Sequence, residues 1–238
     1  MQLTSYFGIT FDTKHSYEDF GIRVVSRQIG NPPKIKRKER VPYSNKIYDF
    51  SNIYDGQEYD ERLLTYTFQV KDYEKIDLNI KKVEVLNWLM KPNEKIKLID
   101  DHIPGYYFLA EVEDEIDFDE LRFRGLITVQ FTAYPFKISE LYEGHDIWDE
   151  FNFLLDYAQV TEFNVNGSLE VTLYNPGANV VQPRIISSAQ MQIIKDGTTY
   201  IVPAGESESH DFVLQNLENK LTIVGNGYIQ FLFKKELI

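Results

Sequence analysis

Hydrophobic and polar positions alternate with a period of two from Leu63 to Val70, placing Leu64, Tyr66, Phe68 and Val70 on one face. That spacing predicts a half-buried strand with this face in a core. Tyr106 to Val112 and Leu126 to Phe131 repeat the alternation. Between them Ile76, Ile80, Val83 and Leu86 recur at helical spacing, with Trp88, Leu89 and Met90 extending the stripe. One helix is expected there, buried along that stripe, and stopped by Pro92, which disfavours helical geometry at Lys91 and supplies no backbone donor. After Val160 short apolar runs come at regular intervals: Leu169 to Tyr174, Gln190 to Lys195, Thr199 to Pro203, Asp211 to Leu214, Leu221 to Val224 and Tyr228 to Phe233. Asn166-Gly167 and Asp196-Gly197 lie between such runs, the usual signal of a two-residue hairpin. Residues 137–160 carry no clear period: Ile147, Phe151, Leu154, Leu155 and Ala158 fit a helix, whereas Asn152 and Asp156 fit an extended connector equally well. The pattern predicts a mainly β protein: an α+β N-terminal β-sandwich with one covering helix over 1–137, a linker over 138–159, and a second β-sandwich over 160–238.

Within the first of these regions, uncommon residues follow in a fixed order. Phe11, His15 and Ser16 lead to Asp19-Phe20-Gly21-Ile22, then to Pro32-Pro33, Val41-Pro42, Asp49-Phe50-Ser51, Gly56, Tyr59 and Arg62. Trp88-Leu89, Val129-Gln130-Phe131 and Tyr134-Pro135-Phe136 close the series. In this order and spacing the chain resembles the N-terminal domain of siphophage distal tail proteins. Two departures stand out: Asp12-Thr13 where the family often has a glycine, and Tyr43 and Asn45 where it has glycines after Val41-Pro42. Asn tolerates positive φ and Tyr rarely does, so the turn after Pro42 is expected to differ.

The resemblance implies a structural protein, not an enzyme, located at the distal tail tip of a virion and made in the host cytoplasm. It implies a homohexameric ring that joins the tail-tube protein to the tail-tip protein and leaves a channel through which DNA passes. Receptor-binding proteins attach to such hubs in some phages. The C-terminal half would be a galectin-like docking domain, since Leu173-Tyr174-Asn175-Pro176-Gly177 and Gln182-Pro183-Arg184-Ile185 look like its opening strands. Asp19, Phe20, Gly21, Pro42, Tyr59, Arg62, Trp88 and Pro135 are the structural or interface residues it points to. Arg62 beside Tyr59 fits a buried or intersubunit pair, or a solvated guanidinium. No catalytic residue, cofactor or metal is implied.

Composition narrows the alternatives. With 238 residues and 43% hydrophobic, the chain can build two packed domains. It has no cysteine, which removes disulfides, thiolate nucleophiles and cysteine metal sites. The N-terminus lacks a basic region followed by an apolar run, and no stretch approaches the roughly 18 apolar residues of a membrane span, so a soluble product is expected. The net charge of −12 disfavours ordinary nucleic-acid binding. Through Pro135 there are 19 basic and 23 acidic residues, a net of −4; the remainder, with 6 and 14, carries −8.

Motifs with chemical potential are sparse. Asp19-Phe20-Gly21 matches a kinase magnesium-binding tripeptide, but no glycine-rich loop, strand lysine or His-Arg-Asp loop precedes it. His15, His102, His145 and His210 are scattered, without the spacing that places two imidazoles on one helix face. The acidic run from Glu111 to Glu120 has carboxylates suited to Ca²⁺ but no glycine for a sharp loop, and reads as a solvated hairpin tip. The basic run Lys34 to Arg40 reads as a polar edge or interface strand, and in a ring it could meet an acidic patch on the next subunit. A carbohydrate-binding module of a tail tip or cell surface is the competing reading. Against it, Asn175-Pro176 is followed by Gly177 where a galectin has arginine, no histidine stands two residues before Asn175, and Trp88 and Trp148 both precede the domain.

Overall fold

The computed structural model describes residues 7–51, 56–71, 74–121, 124–145 and 157–238, in two units that divide after Lys137. The first contains β1 (Ile9–Phe11), β2 (Lys14–His15), β3 (Arg23–Ile29), β4 (Lys38–Arg40), β5 (Ile47–Asp49), β6 (Arg62–Lys71), α1 (Lys75–Met90), β7 (Ile96–Asp100), β8 (Tyr106–Glu111), β9 (Asp117–Leu121) and β10 (Arg124–Ala133). A short strand, β11 (Lys137–Ser139), spans the division. The second contains β12 (Glu162–Asn175), β13 (Arg184–Ser187), β14 (Met191–Lys195), β15 (Thr198–Val202), β16 (Gly205–Ser207), β17 (Leu217–Leu232) and β18 (Glu236–Leu237). The protein is mainly β, as the alternation predicts, and α1 is the single helix among the described residues.

In the first unit the antiparallel strands run in the order β2-β1-β7-β8-β10-β6-β3, and β9 pairs with β10. Leu64, Tyr66, Phe68 and Val70 of β6 are fully buried, as the period of two requires, and pack with Phe11, Phe108, Ile127, Val129 and Phe131. The helix also forms where expected, but of the expected stripe only Trp88 and Leu89 are buried, and Leu78 and Val85 replace its first part. Leu78, Val85, Trp88 and Leu89 are buried, while Ile76, Ile80, Val83 and Met90 are exposed. Leu78, Val85 and Leu89 also recur at helical spacing, and the indole of Trp88 decides between the two stripes. It stacks on Phe20 at 4.6 Å, meets Phe11 edge-on at 6.4 Å and donates to the Phe11 carbonyl at 2.7 Å. A buried indole needs both its apolar contact and a partner for its N–H, and this rotation of α1 supplies both. Lys91 keeps right-handed helical geometry at φ −68° and ψ −42°, so the helix ends because Pro92 has no N–H to donate rather than because Lys91 turns away.

Of the departures noted in the sequence, Asp12, Thr13 and Tyr43 occupy left-handed backbone and Asn45 does not. Asp12 and Thr13 have φ of 45° and 65° and form the two-residue turn between β1 and β2. Tyr43 adopts φ 59° after Pro42, an exposed tyrosine in a conformation where glycine would be unstrained.

The second unit is a sheet in the order β15-β14-β17-β13-β16, with β12 also pairing with β17. Asp196-Gly197 makes the expected hairpin between β14 and β15, with φ of 52° and 80°. Asn166-Gly167 does not make one. It lies inside β12, where Asn166 faces Asn226 and Gly167 faces Gly225 of β17. The positive φ that makes Asn-Gly a turn signal serves here to bend two long strands together: Gly167, Gly225 and Gly227 have φ of 83°, 152° and 132°, and the Asn226 side chain accepts from the Gly167 N–H at 3.0 Å. Before the bend β17 pairs with β14, and after it with β13, so one strand serves both layers around Val171, Leu173, Ile193, Phe212, Ile223, Ile229 and Phe231. The runs expected as separate strands at 221–224 and 228–233 are the two arms of this strand. Asp211 to Leu214 contributes one bridge, Val181 to Leu214.

Residues 138–145 and 157–159, in the segment expected as a linker, hydrogen-bond within the second unit. The Ser139 N–H donates to the Lys235 carbonyl, Glu143 to the Phe233 carbonyl, and the Gln159 side chain bridges Glu143 and Tyr174. The helical pattern at Ile147, Phe151, Leu154 and Leu155 lies outside the described residues, as does Trp148.

Candidate interaction site

The residues singled out by sequence fall into three places. Asp19, Phe20, Gly21 and Trp88 form the first. The Asp19 carboxylate accepts the His15 N–H at 2.6 Å, Gly21 takes φ 66°, and this tight turn places the Phe20 ring on Trp88. His15 is held in this turn by its ring: Nδ1 accepts the Glu18 N–H at 3.1 Å and Nε2 donates to Asp101 at 3.0 Å. Both ring nitrogens are thus engaged, and Ser16 Oγ accepts the Ile9 N–H at 3.1 Å. Among the described residues no group of three His, Asp or Glu side chains could hold a metal ion.

Tyr59, Arg62 and Pro135 meet in the second place. Arg62 is 3% exposed and its cation faces carbonyls, not a carboxylate: Nε donates to Gly30 at 2.9 Å and Nη1 to Pro135 at 3.2 Å, with the guanidinium over the Phe108 ring at 5.2 Å. Burial pushes its pKa down. Tyr59 packs edge-on against Phe136 at 5.4 Å. These residues clamp the start of β6 to the end of β10 and root the excursion between β3 and β6.

Pro42 lies in the third place, that excursion itself. The β3–β6 ladder continues outward through Gly30 to Leu63, Asp60 to Pro33 and Ile35 to Glu58, then into the β4–β5 hairpin, which among the described residues bonds to no other sheet. Every residue of β4 and β5 is exposed. Ile47, Tyr48 and Phe50 are 54%, 52% and 43% exposed, and Tyr48 stacks on Phe50. Asp49 is held at a pKa of about 2, first by hydrogen bonds from Ser51 and then by Lys36.

Sequence reading missed Asp100, the buried centre of the first unit's polar network. It accepts from the Tyr66 hydroxyl at 3.0 Å, Arg27 at 3.1 Å and the His102 N–H at 3.0 Å. Burial, then this carboxylate, pushes the Tyr66 pKa up. A signal was present: Ile96, Leu98 and Asp100 share the inward parity of β7.

Residues 10–133 match the family model described as the phage tail protein RIFT-related domain. Among solved structures the chain is similar to the crystal structure of the SPP1 Dit (gp 19.1) protein, described as a paradigm of the hub adsorption apparatus in phages that infect Gram-positive bacteria. The two are 14% identical with a TM-score of 0.66, over 97% of this chain and 99% of that one. No curated protein matches the chain.

Proposed function

Because the chain belongs to the phage tail protein family of the RIFT-related domain, we propose that it is the hub at the distal end of a siphophage tail. In this reading the first unit closes with five other copies into a ring, stacked between the tail-tube protein and the tail-tip protein, with a channel for DNA. The second unit is a docking surface for the adsorption apparatus, including receptor-binding proteins where the phage carries them. The work is structural and involves no catalysis.

The observation that carries the proposal is the end-to-end correspondence of both units with the fold of a hub protein. The first unit's surface supports it, since Ile76, Ile80, Val83 and Met90 on α1 and the apolar side chains of the arm are left to water in a single copy. The sugar-binding alternative finds less support. Phe212, Phe231 and Phe233 are buried, Tyr200 packs on Phe212, and the Tyr228 hydroxyl is engaged by Glu162. Light scattering of the purified full chain tests the proposal: a particle of six chain masses is expected. A strict monomer at high concentration, in both low and moderate salt, would overturn it.

A further inference from the structure

Two cations of the first unit stand side by side, and among the described residues no carboxylate pairs with either. The Arg62 guanidinium lies over the Phe108 ring at 5.2 Å and Lys137 Nζ over the Tyr106 ring at 5.5 Å. Tyr106 and Phe108 alternate along β8, so their side chains project from one face, about 7 Å from each other at strand rise. The chain leaving β10 brings the second cation there: Arg62 Nη1 donates to the Pro135 carbonyl at 3.2 Å, and Lys137 follows just beyond Phe136.

A guanidinium carries N–H donors on all three nitrogens, in a planar fork. In Arg62, Nε serves the Gly30 carbonyl and Nη1 that of Pro135, while Nη2 has no hydrogen-bond partner among the described residues although the side chain is buried. Lys137 is half-buried, and its ammonium has neither a hydrogen bond nor an ion pair among the described residues. Burial, then the Arg62 charge, pushes its pKa down. Clamping β6 to β10 accounts for Nε and Nη1 but not for the second cation. A buried charge costs free energy unless it is paired, and a like charge beside it adds to the cost. Water satisfies spare donors but leaves the charge in place, and a methionine at position 137 would cover Tyr106 without the repulsion.

We propose that Arg62 Nη2 and Lys137 Nζ together bind one small dianionic oxyanion, of the sulfate or hydrogen phosphate class. A dianion balances the two positive charges, and the two side chains divide the work: the fork of Arg62 supplies directional donors, and Lys137 a point charge on a flexible stem. The anion enters from the Lys137 side, because that side chain is half-buried and Arg62 is not accessible. Once bound, it joins Arg62 at the start of β6 to Lys137 beyond the end of β10, a second link beside the bond from Nη1 to Pro135. Removing Lys137 then has opposite effects in the two states: it relieves a repulsion when the anion is absent and loses a ligand when it is present.

Titration calorimetry of the full chain with sodium sulfate, in chloride buffer of matched ionic strength, tests this. One saturable site per chain is expected, and Lys137→Met should weaken it at least tenfold. Thermal melts of the first unit separate a ligand from a packing residue. In chloride alone Lys137→Met should melt no lower than wild type, whereas in saturating sulfate wild type should melt higher, since a ligand that binds only the folded state stabilises it by mass action. General salting by sulfate raises all variants alike and does not saturate. Lys137→Glu brings its own carboxylate to Arg62 and should melt equally in both salts. The absence of a saturable site in wild type, an equal sulfate response in wild type and Lys137→Met, a Lys137→Met protein that already melts lower in chloride, or a Lys137→Glu protein as sensitive to sulfate as wild type would each overturn the proposal.

Discussion

Replacing Arg62 with methionine should destabilise the first unit by about 2–4 kcal/mol. Where a buried ion pair is exchanged for apolar side chains, both charges go, and the exchange is often neutral or favourable. Arg62 differs because its partners are backbone carbonyls that no side-chain substitution removes. Each acceptor left without a donor costs about 1–3 kcal/mol, so two cost about 2–6 kcal/mol. Methionine restores the packing volume and spares the desolvation of a guanidinium, which returns part of that sum. Loss of the cation over Phe108 removes a further contribution of about 1 kcal/mol. Arg62→Lys, with one compact ammonium for two divergent carbonyls, should fall about midway. Urea unfolding of the full chain, followed by the transition of the first unit, reads the effect. With a slope of about 2 kcal/mol/M, a 3 kcal/mol loss moves the midpoint down by roughly 1.5 M. An Arg62→Met protein as stable as wild type would show that the two carbonyls find other donors and that the clamp does not depend on the guanidinium.

Thr13→Gly should stabilise the protein by about 0.5 kcal/mol, since releasing a β-branched residue from φ 65° outweighs the added freedom of the unfolded chain; a loss of 1 kcal/mol in the same urea assay would refute this. Asn175→Asp should cost the second unit about 2–4 kcal/mol at neutral pH, because the buried Nδ2 donates to the Asn179 and Leu214 carbonyls and a carboxylate would repel both. Equal stability in thermal melts would contradict it. Glu143 is buried and burial raises its pKa from 4.5 despite the Lys235 ammonium 3.9 Å away. Its stabilising contribution is therefore present below pH 4.5 and is lost as pH rises through the raised value, so Glu143→Gln should flatten that decline. Parallel stability–pH curves for the two proteins would refute it. Lys235, lowered by burial from 10.5, works in the opposite sense, and the second unit should regain stability as pH rises from the depressed value towards 10.5.

Elements governed by one local period were legible. The buried face of β6, the extent of α1 and the Asp196-Gly197 hairpin follow from spacing and turn chemistry alone. The face of α1 was not, because two apolar stripes compete on it and only the tertiary partners of Trp88 select one. The fate of Asn166-Gly167 was hidden for a related reason: positive φ reports a local bend, whereas whether the chain reverses or two strands bend together depends on residues some 60 positions away. Of the candidate site, Asp19, Phe20, Gly21 and Trp88 were found as a sequence pattern, and their assembly around one indole was not. Arg62 was found without its partners, since backbone carbonyls leave no trace in a sequence. Asp100 was concealed by polarity, because inward carboxylates break the apolar rhythm by which core positions are recognised.

The pairing of β12 with β17 also sets the order of events during synthesis. Glu162 bonds across to Gln230 and Asn175 to Leu217, and β13 and β14 each take the same late strand as a neighbour. While translation proceeds through 162–216, the emerging chain can hold the small ladders of β14 with β15 and β13 with β16 and the Val181–Leu214 bridge. The layers gain their common strand only when residues 217–232 have emerged, so consolidation of this unit follows synthesis of β12 to β16 and is cooperative and dominated by distant contacts. A polypeptide cut short before Leu217 lacks that strand altogether and leaves the edges of β12, β13 and β14 without their partner.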